Sequence, residues 1–154
     1  MRSLAGIVVL GTLCAGLAAD GRSVPPPARA RLRTPSPDGR RVAEVRPRAR
    51  GGEALWVSQR LSWPDARHGA AQVVSAVVWS ERSDALAFAA RDQRGVVSLV
   101  VVLVDGEAAP AALAWPVPAS ALPLAAITWL GADRVGAGPA PLAPTVVASW
   151  RTSE

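Results

Sequence analysis

Short segments in which polar and apolar residues alternate dominate the chain. Residues 41–45 alternate in this way, and Leu55 and Val57 continue the same period after a loop that contains Gly51 and Gly52. Alternation at every second residue is typical of a strand with one buried face. The best helical candidate, the alanine-rich run 108–114, is interrupted by Pro110, which breaks an α-helix. The pattern therefore predicts an all-β fold.

The middle of the chain predicts a four-stranded antiparallel meander. Its expected strands are residues 72–79, 85–90, 96–104 and 111–115. The third is apolar without alternation, which is typical of a strand buried on both faces. Residues 91–95 form a predicted turn, and Asp105-Gly106 is a strong hairpin signal between two apolar runs.

Turn and loop residues separate the other expected strands. Pro37, Asp38 and Gly39 predict a tight turn, because proline presets φ, aspartate bonds its own backbone ahead, and glycine accepts a positive φ. Residues 59–71 are interpreted as a connection. Residues 136–144 are rich in Gly, Pro and Ala and are expected not to form a ladder. Strands are expected before and after that segment, at 125–129 and 145–150.

These turns and strands carry a family resemblance. The first unit contains the sequence Ser36-Pro37-Asp38-Gly39-Arg40-Arg41-Val42-Ala43, followed by Leu55-Trp56-Val57. Looser copies begin near Trp79 and at Ile127, and the units repeat every 44 to 50 residues. This combination resembles the PD40 repeat, the WD40-like unit of TolB-type β-propellers, best over residues 36–58 and 79–105. Propeller repeats span about 40–50 residues per blade.

The resemblance implies antiparallel meanders similar to two or three propeller blades. Within a single β domain at 32–154, the units would be 32–63, 72–117 and 124–151. Propellers usually have about four to eight blades. The expected architecture is therefore an incomplete propeller, or a small barrel or sandwich. Open sheet edges would favour self-association or pairing with another protein.

The N-terminus predicts export. Residues 1–19 combine Arg2, an apolar run and small residues before Asp20, the pattern of a secretory signal peptide. The expected location is periplasmic or extracellular, with a Pro/Arg-rich linker at 20–31. An uncleaved membrane anchor and a lipoprotein with its lipid on Cys14 are the alternatives. Cys14 is the only cysteine, so cleavage would leave no thiol.

Charge is concentrated in one segment. All 17 basic residues are arginine, and residues 29–50 hold eight of them against two acids. Such a segment favours an anionic envelope ligand, lipopolysaccharide or phospholipid, over nucleic acid, since it lacks interleaved aromatic residues. The residues predicted to bind these anions are Arg40, Arg41, Arg46, Arg48 and Arg50.

Six tryptophans accompany a single phenylalanine. Four of them fall in expected strands, where core packing is the simplest role: Trp56, Trp79, Trp129 and Trp150. Trp63 and Trp115 stand beside prolines near strand ends and are candidates for lining a groove. For docking to a partner, the best surface candidates are Arg40, Arg41, Trp56 and Trp79.

The sequence favours a non-enzymatic function. His68 is the only histidine, and no nucleophile elbow or phosphate-binding loop occurs. No cofactor and no metal are expected. The resemblance implies an envelope scaffold that acts by protein–protein contact. Binding of anionic ligands through residues 29–50 is the alternative, and an accessory fragment of a propeller-containing hydrolase is a third interpretation.

Overall fold

Three antiparallel β-sheets make up the protein. The computed structural model describes residues 30–64, 70–104, 110–140 and 143–150. The first sheet contains β1 (Leu32–Pro35), β2 (Val42–Pro47), β3 (Glu53–Val57) and β4 (Arg60–Trp63). The second contains β5 (Gln72–Val73), β6 (Val78–Trp79), β7 (Ala85–Arg91), β8 (Val97–Leu103) and β9 (Ala111–Pro116). The third contains β10 (Ala126–Gly131), β11 (Arg134–Gly138) and β12 (Val146–Ser149).

The strand order confirms the all-β prediction. The first sheet runs β1-β2-β3-β4, the third runs β10-β11-β12, and in the second β5 and β6 both pair with β7, followed by β8 and β9. Within the described ranges, the remaining regular element is a 3-10 turn at Ala119–Ala121, and no helix is long and apolar enough to cross a membrane.

The second sheet is the middle layer. Phe88 and Val100 on one of its faces pack with Val45 and Leu55 of the first sheet. Its other face packs against the third sheet, through a cluster that includes Leu99. The absence of alternation in β8 correctly predicted this double burial. None of the three sheets closes into a barrel in the described part of the chain, and the stack fits an incomplete propeller-like or sandwich fold.

The predicted single strand at 72–79 is wrong. Residues 74–77 separate β5 from β6. The Val74 amide still donates to the Ala89 carbonyl at 2.9 Å, but the Ala89 amide donates to the Ser75 hydroxyl at 2.7 Å. A serine side chain thus replaces a backbone acceptor and interrupts the ladder.

The connection predicted at 59–71 also needs correction, because it begins with β4. Ser58 and Gln59 adopt φ angles of 47° and 72°. Two successive residues in the left-handed region form the type of two-residue turn that connects the strands of a β-hairpin. Neither residue is glycine or asparagine, so the turn lacked its usual sequence signal.

The segment 136–144 was expected not to form a ladder, and this is wrong for its beginning. Gly136 lies in the central strand of the third sheet, between Thr128 and Val147. A Cβ at Gly136 would lie 2.8 Å from the Cβ of Pro144. The glycine therefore allows Pro144 to lie directly on the sheet.

Several predictions fall outside the described residues. They are the signal peptide, most of the linker, His68 and the Asp105-Gly106 hairpin. The linker's last residue, Arg31, is described and belongs to the folded part. Its guanidinium bonds Glu53 at 2.5 Å and the Val73 carbonyl at 3.0 Å, and so connects the first two sheets.

Candidate functional site

The outer face of the first sheet carries the strongest candidate site. Because side chains alternate along a strand, the positions between its core residues face away from the second sheet. The register aligns four of them across all four strands, in the order Arg33, Glu44, Trp56 and Leu61. Val42 and Arg46 lie on the same side of β2. We call these six residues the outer face.

A charged group occupies one half of the outer face. The Glu44 carboxylate binds the Arg46 guanidinium and lies 3.4 Å from Nε of Arg33. The guanidinium carbon of Arg46 is 5.4 Å from the ring centroid of Trp56, a cation–π contact. Glu44 therefore holds Arg46 against the ring, which orders Trp56 at the surface.

The other half of the outer face is apolar. Leu61 is 48% exposed, and Val42 and Trp56 are half-buried. None of these three residues belongs to either hydrophobic core cluster. Trp56 therefore departs from the core role predicted for it, since it packs beneath Arg46 on the outside of the sheet.

In the described part of the chain, net positive charge is confined to the segment that forms the first sheet with its turns and loops. Residues 30–64 contain eight arginines and three acids, whereas the other described residues contain four arginines and four acids. The basic segment found in the sequence thus coincides with one layer of the stack.

The five arginines predicted to bind anions are not gathered in one place. Arg46 is on the outer face. Arg40 and Arg41 lie in the turn before β2, whereas Arg48 and Arg50 lie in the loop after it. Arg41 donates to the Ser83 carbonyl at 2.6 Å, so it links the first sheet to the second.

The turns that precede β2 and β7 share one hydrogen-bond pattern. The Ser36 amide donates to the Arg41 carbonyl at 2.9 Å, and the Ser80 amide donates to the Ala85 carbonyl at 2.8 Å. In return, Arg41 and Ala85 donate their amides to the two serine hydroxyls at 3.0 and 3.1 Å. The two units therefore repeat in local geometry as well as in sequence.

The two turns also contact each other. Ser83 has a φ of 61°, close to the 68° of Gly39 at the corresponding place in the first turn. The Asp38 amide donates to the Ser83 hydroxyl at 3.2 Å. Together with the bond from Arg41, this contact fixes the first sheet on the second at fully buried Ser83.

Asp38 makes the first turn sensitive to pH. Its pKa lies below the ordinary value of 3.8, chiefly because the Ser36 hydroxyl donates to its carboxylate and then because the Arg40 amide does. A lowered folded-state pKa adds stability above the unfolded value, and that contribution is lost as pH falls below about 4. We expect Asp38→Asn to remove this acid-dependent part of the stability. The urea midpoints of the wild-type protein and of Asp38→Asn, measured from neutral to acidic pH, test this expectation. It would be contradicted if the two midpoints changed with pH in the same way.

The predicted groove tryptophans lie elsewhere. Trp63 is 3% exposed and packs edge-on against Phe88 with centroids 5.0 Å apart, although it also lines a cleft of about 320 Å³. Trp115 is half-buried, 6.4 Å from Trp150. Trp79, a predicted surface anchor, is buried and donates its indole N–H to the Thr34 carbonyl at 3.0 Å.

A second cleft, of about 390 Å³, lies between the Ser80–Asp84 turn and the end of β10 near Trp129. In the part of the chain that the structure describes, no three His, Cys, Asp or Glu side chains are placed to hold a metal ion.

Sequence reasoning missed Arg33, Glu44 and Leu61. Their alternation with core residues indicated an outward face, but only the register between strands brings them together. Compared with protein-family models, curated proteins and solved structures, the chain matches none.

Proposed function

We propose that this chain is a non-enzymatic interaction module of the cell envelope, which binds a partner protein through the outer face of its first sheet. The observation that carries the proposal is the row from Arg33 to Leu61, which spans four strands and belongs to neither core cluster. The signal-like N-terminus supports export, and the resemblance to PD40 repeats supports a scaffold role.

The composition of the outer face favours protein contact. Tryptophan and arginine are enriched among residues that dominate binding energy, especially where polar contacts surround an apolar centre. Trp56 is already ordered by Arg46 at 5.4 Å, so little side-chain freedom remains to be lost on binding. A preordered ring of this kind is a good anchor for a partner.

Binding of lipopolysaccharide or phospholipid by residues 29–50 is the second candidate. It is less well supported, because Arg31 and Arg41 are engaged in contacts that link the first sheet to the second. Arg40 and Arg50 lie at opposite ends of β2. These positions do not form one anion pocket.

Site-specific photocrosslinking in the producing cells tests the proposal. A photoreactive residue at Leu61 or Val42 is expected to capture the same protein. One at exposed Val96, just before β8, or at exposed Val147 in the third sheet is not. The captured protein, once purified, should bind the wild-type chain and bind Trp56→Ala about thirtyfold more weakly, the effect of losing a contact of about 2 kcal/mol. Equal capture at the control positions, or binding unaffected by Trp56→Ala, would rule the outer face out.

A further inference from the structure

We infer that the outer face receives an acidic, partly apolar segment of its partner, whose carboxylates bind Arg33 and Arg46 beside Glu44. This inference rests on the proposed function and adds the chemistry of the partner.

The charge distribution is the first argument. The segment that forms the first sheet and its turns, residues 30–64, carries five more arginines than acids, and the rest of the described chain is balanced. A surface of one sign increases the association rate of a partner of opposite sign and disfavours partners of the same sign. The excess charge therefore selects an acidic partner at this layer.

The geometry of the charged group is the second argument. Arg33 faces Glu44 through Nε at 3.4 Å, and its side chain is 70% exposed. Because a guanidinium carries five N–H donors in a planar fork, Arg33 can also bind a carboxylate from the partner. Glu44 gives one carboxylate to two arginines, so a second carboxylate would satisfy donors that Glu44 leaves to solvent.

The arrangement along β2 is the third argument, and it favours an extended protein segment over a lipid surface. Arg40 lies before β2, Arg46 is near its end, and Arg50 follows it. Six extended residues span about 20 Å, so acids spaced along one segment would meet this series in turn. Trp56 and Leu61 lie beside the series, within reach of apolar residues of the same segment.

A designed peptide tests this chemistry. The probe is a fluorescently labelled soluble peptide in which glutamate alternates with leucine, compared with a matched peptide that has glutamine for glutamate. We expect the glutamate peptide to bind the wild-type protein about tenfold more tightly, with an affinity that falls as salt increases. Fluorescence anisotropy gives both dissociation constants.

Four variants locate the site. Arg33→Gln combined with Arg46→Gln is expected to weaken binding of the glutamate peptide about tenfold, a typical effect of losing charge-assisted contacts. Glu44→Gln should strengthen binding several-fold, because it frees both guanidinium groups. Arg91→Gln, at an exposed arginine of the second sheet, is the matched control and should leave binding unchanged. Trp56→Ala should weaken binding of both peptides, and urea midpoints verify that each variant is folded.

The possible failures are distinguishable. If the two peptides bind equally and Trp56→Ala weakens both, the outer face is a contact surface but its partner is not acidic. If phosphatidylglycerol vesicles bind and the peptides do not, the ligand is a lipid surface and the inference is overturned. If neither probe binds and the crosslinks show no preference for the outer face, the proposed function fails as well.

Discussion

Phe88→Ala is expected to lower the free energy of unfolding by about 3–5 kcal/mol, the range for truncating a buried aromatic residue. Phe88 is fully buried in the cluster that joins the first and second sheets. Its ring also packs edge-on against Trp63 at 5.0 Å, which adds about 0.5–1.5 kcal/mol beyond the buried area. Urea unfolding followed by tryptophan fluorescence measures the loss.

Phe88→Leu is the matched control. It keeps an apolar side chain of intermediate volume, so its cost should be clearly smaller than that of the alanine variant. If Phe88→Ala lowers the free energy of unfolding by less than about 1 kcal/mol, the packing of Phe88 between these two sheets does not contribute substantially to stability.

Gly138→Ala is expected to have the second large effect, and it should disrupt the third sheet. A Cβ at this position would lie 2.4 Å from the Ala143 carbonyl oxygen and 2.9 Å from the Thr145 amide nitrogen. Both are backbone atoms, so the strain cannot be relieved by rotating a side chain. Overpacking of this kind costs about 1–3 kcal/mol, measurable as a lower urea midpoint and as faster amide exchange in β11.

Gly131→Ala in the same sheet is the control for this experiment. The nearest atom to its added Cβ is Asp133 Oδ1 at 4.0 Å, so the substitution introduces no close contact. We expect a change within about 0.5 kcal/mol, typical of a surface position. Equal losses of stability in the two variants would show that the close approach of Ala143 does not explain the effect at Gly138.

Local chemistry explains which parts of the fold were predictable. The turn at Ser36–Arg41 depends on residues within six positions of one another, and Asp38 bonds the Arg40 amide at 3.0 Å as its sequence suggested. The double burial of β8 followed from its unbroken apolar run. In both places the sequence signal and the physical cause are adjacent in the chain.

Distant contacts explain the parts that were missed. Gly136 is a strand residue that pairs with Thr128 and Val147 and lies under Pro144. The strand from residue 72 is interrupted where Ser75 bonds Ala89 across the sheet. Composition around those residues reveals neither contact. For the candidate site, the sequence indicates Arg46 and Trp56 separately, but their pairing through Glu44 depends on the register between β2 and β3.

Because the second sheet lies in the middle, binding at one outer layer affects local unfolding of that layer only. The two core clusters share no residue, so each outer layer is stabilised by one neighbour, as in a linear array. The end layers are then the places where local unfolding starts. A partner on the outer face would suppress such opening at its own end, while the third sheet, a layer away, would continue to open at its original frequency.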